Sequence, residues 1–352
     1  MNSKERVLTA FEHEEPDRVP VWCGASPEFW FKAKRTLGLD DEGLLRRIGD
    51  DFRRVYARYV GPLNIIIPRT SRAKVRTLFG VERSRLYYGY ALNHPLSNAS
   101  LRGVEEYSWP NPAWIDVSNI KADAKKYHDQ YAILGGDWSP FWHDVMELLG
   151  MENMFVKMHT EPEIVDAVFE HVVGYYEAVN RKIFEEAADL IDIFFIGNDL
   201  GTKHGPMISE KLFRRFVLPH LKRLVDLGHS YGLKVMLHCC GGFAELIPAM
   251  VEIGLDGLHA VQPSCRGMDL RRLKREYGDK ILFNGAIDST WLIFGTPEFV
   301  QTKTREVLEI MMPEGGYVAG ASHDYILEET PVENVLTMFD TVHIYGRYRL
   351  KQ

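Results

Sequence analysis

The chain has 352 residues, 45% of them hydrophobic and 26% charged, with a formal net charge of -7. That is the balance of a globular protein, and a mildly acidic chain without a Lys/Arg block gives no electrostatic basis for binding nucleic acid or a membrane surface. No apolar run approaches the ~20 residues of a membrane span, and residues 1–10 lack the apolar core of a secretory signal, so the expected compartment is cytoplasmic.

Taken in chain order, short apolar and β-branched runs that end in Gly, Asn, Asp or His alternate with longer amphipathic segments. The runs are 18–24, 51–57, 131–137, 192–199, 234–241, 256–262, 280–288 and 316–323. Between them the spacing predicts helices over 162–187, 209–232 and 296–311, with Ser209 and Thr296 as N-caps and Pro297 at the first helical position. Strand and helix in alternation are the pattern of βα units on a parallel sheet. Eight such units predict an α/β fold, a single (β/α)8 TIM barrel spanning 1–352, with an irregular excursion of short hairpins over about 60–128 between early strands.

In such a barrel the chemistry sits at the carboxyl ends of the strands. Polar residues collect there: Cys23, Trp138 beside Asp137, Asn198 and Asp199, His238 and Cys240, Gln262, Asn284, Asp288, and His323. Of these, Cys23, Trp138, Asn198, Gln262 and Asn284 are candidates to line a substrate cavity. Asp199, Asp288 and His323 are candidates for proton transfer or substrate positioning; the two aspartates could also ligate a metal, and a cap on the following helix is the competing reading for each.

LHCCGG (237–242) is the most informative stretch. On an extended strand His238 and Cys240 share one face while Cys239 points to the opposite one, into the core. An imidazole and a thiolate side by side are two of the donors of a tetrahedral zinc. His323 is the first candidate for a third, followed by Cys265 and Cys23. Gly241 and Gly242 permit a tight turn behind the pair. Four cysteines in a chain of this length form no disulfide framework.

The segments SKERVLTAFEHEEPDRVPV, DLGTKHGPMISEKLFRRFVLPHLKRLVD, LHCCGGFAELIPAMVEIGLDGLHAVQP, GMDLRRLKREYGDKILFNGAID and TPVENVLTMFD resemble, in order, blocks of the uroporphyrinogen decarboxylase superfamily. The resemblance covers nearly the whole chain and implies a (β/α)8 barrel. It implies one of two chemistries. Decarboxylases of the family carry an arginine-bearing motif after the first strand, where this chain has PVWCGASPEFW. The corrinoid-dependent methyltransferases bind zinc through a His-x-Cys pair and a later cysteine, and His238 and Cys240 match that pair, while Ser322-His323-Asp324 stands where the later cysteine would be.

The resemblance therefore implies a zinc-dependent methyltransferase acting with a corrinoid protein on a small methyl donor or thiol acceptor. The alternative is a decarboxylase acting on a porphyrinogen or small acid. A homodimer is the assembly the resemblance suggests.

Overall fold

The computed structural model describes residues 1–62, 74–85 and 89–348. Seven parallel strands form one sheet: β1 (Phe52–Arg54), β2 (Ala132–Gly135), β3 (Ile193–Gly197), β4 (Lys234–His238), β5 (Gly257–Val261), β6 (Leu282–Ile287) and β7 (Tyr317–Ala321). They pair in that order, each with its sequence neighbour. Each lies inside one of the apolar runs and is shorter than it, because polar and glycine residues at the run ends form the connecting loops.

The first run, 18–24, departs from a ladder strand. Pro20 has no N–H to donate, and the N–H of Val21 is taken by the Asp51 carboxylate at 2.8 Å rather than by a neighbouring backbone. The segment still closes the barrel. Ala319 donates to Pro20 O, Trp22 donates to Ala319 O, and on the other side Asp51 donates to Val21 O. It is an eighth stave held by isolated bridges, Val21 to Ala319 and Arg18 to Arg347, and by the carboxylates of Asp51 and Asp50 on the N–H groups of Val21 and Cys23.

Inside the barrel lie Trp22, Phe52, Ala132, Leu134, Ile193, Phe195, Met236, Leu282 and Val318, and the helix Ser3–Phe11 adds Val7, Ala10 and Phe11 to the same cluster. That helix begins with a capping box, Asn2 with Glu5, which satisfies its first free N–H groups. The second, larger core lies between the sheet and the outer helices, where Pro162–Ala187 alone buries thirteen side chains.

The helix expected over 209–232 runs from Glu210 to Ser230 with a widened turn at Phe213–Val217. Pro219 explains the widening, since it offers no N–H to the carbonyl one turn back and its ring crowds that carbonyl. The predicted caps at Ser209 and Thr296 are present.

The excursion between β1 and β2 contains two short antiparallel ribbons, Val75–Arg76 with Glu82–Arg83 and Arg58–Tyr59 with Ile115–Asp116. Part of the expected excursion, 63–73 and 86–88, lies outside the described residues. No helix among the described residues is long and apolar enough to cross a membrane.

Candidate functional site

β4 is buried along Val235–His238, and its alternation turns Met236 and His238 into the barrel. Its register with β5 sets Met236 beside Gly257 and His238 beside His259. Two imidazoles thereby meet at the carboxyl end of the sheet, Nδ1 to Nδ1 at 2.9 Å. The Nε2 of His238 faces the other way, 3.1 Å from the Cys240 sulfur and 3.3 Å from Asp199 Oδ1.

Asp199 holds this corner together. Its Oδ1 also accepts the Cys240 N–H at 2.7 Å, and its Oδ2 lies 3.5 Å from His143 Nε2. The backbone beyond β4 then turns at Gly241, whose φ of +87° and close approach to Gly201, 2.6 Å from a would-be Cβ, leave no room for a side chain. Gln262 Oε1 accepts the Gly241 N–H at 3.2 Å.

The charges in this corner favour a cation. Burial works against charging His238, yet the Cys240 sulfur and the Asp324 and Asp199 carboxylates outweigh it and hold the ring well above its ordinary pKa. Burial alone would raise Asp199, but hydrogen bonds from His143 and His238 keep it well below the usual carboxylate range. Burial also raises the Cys240 thiol, against the pull of His238. His259 moves the opposite way, pushed well down by burial first and then by the nearby His238, His323 and Arg54. A neutral His259 can accept the Nδ1–H of His238, and that hydrogen bond turns Nε2 of His238 toward Cys240 and Asp199, where a bound metal would take the place of its proton.

Among the described residues, two groups bring potential ligand atoms within 4.8 Å of one another: Asp199, His238 and Cys240, and His238, His259 and Asp324. His323, the expected third donor, is in neither. Its Nδ1 accepts the N–H of Tyr325 at 3.2 Å, which ties the ring to its own loop, and Asp324 reaches the histidines instead. Cys23 and Cys265 also fall outside both groups. Cys23 lines the cleft with its thiol raised by burial, and Cys265 is buried.

Packing commits two further candidates to structural roles. Asn198 is buried and both polar ends are committed, Oδ1 to the Trp142 N–H and Nδ2 to Ser139 O, so it positions the loop 139–142 rather than lining the cavity. Asp288 is the cap of the helix Ser289–Phe294, accepting from the N–H and hydroxyl of Thr290 at 2.8 and 2.6 Å. Asn284 is fully buried within the barrel, its Oδ1 without a hydrogen-bond partner among the described residues.

Cys239 points to the outer core, as its alternation predicts. Trp138 stands over the site, its ring 5.4 Å from His238 and 5.0 Å from Phe195. Gly197, opposite His238 in the register, gives that indole its space, since a Cβ there would lie 2.0 Å from the Trp138 ring. Gly197→Ala is accordingly expected to displace Trp138 and cost about 1–3 kcal/mol, the range of overpacked sites, in urea unfolding.

His259, Asp324, His143 and Arg54 had no place in the sequence-based site. The signal for His259 and Arg54 was present: each is a polar residue inside a buried run whose alternation turns it inward, Arg54 beside Phe52 and His259 beside Gly257. Asp324 is placed by the loop after β7, and His143 by the first turn of the helix Phe141–Leu149, so neither could be read from strand alternation.

Next to this corner opens a cleft of about 760 Å³, lined among others by Trp22, Cys23, Arg54, Tyr56, Asp324 and Tyr325.

A family model described as uroporphyrinogen decarboxylase (URO-D) matches residues 117–345. A uroporphyrinogen decarboxylase of Aromatoleum aromaticum is 28% identical over 193 residues, 54% of this chain and 50% of that protein. The methylcobamide:CoM methyltransferase MtbA of Methanosarcina acetivorans is 24% identical over 192 residues, 54% of this chain and 53% of that one. The chain thus spans about half the length of these two relatives. A uroporphyrinogen decarboxylase of Alkalilimnicola ehrlichii is 22% identical over 382 residues, 99% of this chain and 96% of the relative. Among solved structures, a methyltransferase from Methanosarcina mazei superposes with a TM-score of 0.69 at 17% identity, covering 98% of this chain and 99% of that one, a likeness of fold. With a family model matched over well more than half its length, and relatives that are both decarboxylases and methyltransferases, the chain belongs to the uroporphyrinogen decarboxylase (URO-D) family.

Proposed function

We propose that the protein is a zinc-dependent methyltransferase of this family, moving a methyl group between a small donor or thiol acceptor and a corrinoid carried by a partner protein. The observation that carries the proposal is the meeting of a nitrogen, a sulfur and a carboxylate oxygen at one corner of the barrel mouth. A tetrahedral zinc with Zn–N near 2.0 Å and Zn–S near 2.3 Å has an N···S edge of about 3.5 Å and an N···O edge of about 3.3 Å. The corresponding separations here are 3.1 and 3.3 Å, so the donors need to move only a few tenths of an ångström.

Zinc bound there supplies a Lewis acid, able to favour the deprotonated form of a thiol or to polarise a substrate oxygen. The protein's own groups do the rest. His238, Cys240 and Asp199 hold the ion, and His259 fixes the tautomer and tilt of His238. Asp324, beside both histidines and lining the cleft, is placed to take up a substrate proton. Trp138 covers one side of the site and limits water. The corrinoid partner docks at the open carboxyl face.

The relatives' printed names include both a methylcobamide:CoM methyltransferase and uroporphyrinogen decarboxylases, and so leave the two readings level. The lining of the cleft favours the former, because its two arginines include Arg53, already paired with Glu42 at 3.0 Å. A tetrapyrrole bearing many carboxylates would require more free cations than this.

The test is to follow the visible spectrum of methylcobalamin mixed with the zinc-loaded protein and a panel of small thiols. Thiol-dependent loss of the methylcobalamin spectrum, absent in Cys240→Ser, is the expected result. A spectrum unchanged by every thiol, with release of carbon dioxide from small acids that chelators do not affect, would replace it with the decarboxylase reading.

A further inference from the structure

Arg54 is the charged residue that the proposed metal chemistry leaves unused. Alternation on β1 puts it on the same inward face as Phe52, and it lines the cleft. Its guanidinium lies 5.3 Å from the ring centroids of both Trp138 and Phe195 and 5.0 Å from that of Tyr56. Aromatic faces hold a cation in place but leave its N–H donors unsatisfied.

Among the described residues Arg54 has no hydrogen-bond or ion-pair partner, and its Nε is buried without one. The adjacent Arg53 shows what a structural arginine looks like in this protein. It is paired with Glu42, donates to the carbonyls of Asp50 and Phe52, and stacks over Tyr131 at 3.8 Å. A buried, unspent donor in a guanidinium fork is costly unless something fills it.

Nearby carboxylates do not fill it. Asp50 gives both oxygens to the N–H groups of Cys23 and Phe52, and Asp137 accepts from the Ser139 N–H. Asp50, Asp324 and, further out, Asp40, Asp41 and Glu42 outnumber Arg53 and Arg54 and make the lining net negative. A dianion such as phosphate would be repelled by that lining and finds a single unpaired guanidinium, whereas a monocarboxylate matches the planar fork and carries one charge. Trp22 and Tyr56 supply flat apolar walls in the same cleft, and Asp324 joins it to the donor cluster.

We propose that Arg54 anchors the substrate, and that the substrate is a small monocarboxylate with a flat apolar body whose far end reaches the His238–Cys240–Asp199 corner. This rests on the reading of that corner as the reactive centre, but the anchor itself is testable without the metal.

The experiment titrates benzoate, cinnamate and nicotinate, their neutral amides, and inorganic phosphate into chelator-treated full-length protein, followed by tryptophan fluorescence and calorimetry. At least one carboxylate is expected to bind, about ten- to a hundredfold more tightly than its amide, with phosphate weaker still, the ratio expected of one charge-assisted hydrogen-bonded pair. Arg54→Gln is expected to abolish that preference and Arg54→Lys to restore part of it, with the zinc content of both at the wild-type level. Carboxylate preference that survives Arg54→Gln, phosphate binding tighter than any carboxylate, or no binding by any member of the panel would overturn the proposal. Loss of zinc on Cys240→Ser with carboxylate binding intact keeps the anchor independent of the metal reading, and zinc binding without carboxylate preference refutes the anchor alone.

Discussion

If the proposed centre is right, the protein is expected to carry about one zinc per chain, and Cys240→Ser and His238→Ala are each expected to release it. Altering groups that merely orient a ligand costs about 10–100-fold in metal affinity, so removing a ligand is expected to cost at least about a hundredfold. Serine is the sharper probe at 240, because it preserves volume and the N–H bonded to Asp199 while replacing the soft donor. Asp199→Asn is expected to weaken zinc less than either, since an amide oxygen still reaches the site but the negative charge is gone. The measurement is metal content after gel filtration, together with competition against a chromogenic chelator. The fold should persist in all three variants, because the barrel core lies below these residues. Stoichiometric zinc retained by both Cys240→Ser and His238→Ala would sink the assigned centre.

The largest expected effect on stability is at the opposite end of the design, in the seam that closes the barrel. Asp51 is fully buried and accepts from Arg6 at 2.8 Å, from both Nη atoms of Arg18 at 2.8 and 3.0 Å, and from the Val21 N–H at 2.8 Å. Asp51→Ala leaves two guanidinium groups and one backbone donor facing an empty space, and breaking a buried ionic network in this way costs about 3–5 kcal/mol. Asp51→Asn retains one acceptor oxygen and should cost less. Urea unfolding of the full chain reads both, and a loss below about 1 kcal/mol for the alanine variant would mean that the eighth stave is held by something else.

Acid should loosen the same seam. Asp17 is raised by burial, but its bonds from Arg6 outweigh this and hold it at about 2, against an ordinary 3.8. With its pKa lowered on folding, its contribution is present above about pH 4 and is lost as pH falls toward 2. Because Asp17 is partly exposed, solvent screening keeps this term small beside that of Asp51.

Features legible from residue order alone are local ones. The periodicity of apolar residues located all seven ladder strands and fixed the helix Pro162–Ala187, because side-chain direction repeats every two or 3.6 residues within one segment. The same rule put His238 and Cys240 on one face and Cys239 on the other, with no knowledge of any partner strand.

Which groups join them depends on how distant segments pack. Asp199 rather than His323 completes the corner, since β3 is the strand beside β4 and its last loop bends back to the Cys240 N–H, while His323 is bound to its own loop. His259 reaches His238 through the register of β4 on β5. Residues 18–24 are a bridged stave rather than a strand, because Asp51 takes the N–H that a ladder would use. Each of these depends on hydrogen bonds between segments far apart in the chain, and register and closure of that kind leave no trace in the periodicity of either segment alone.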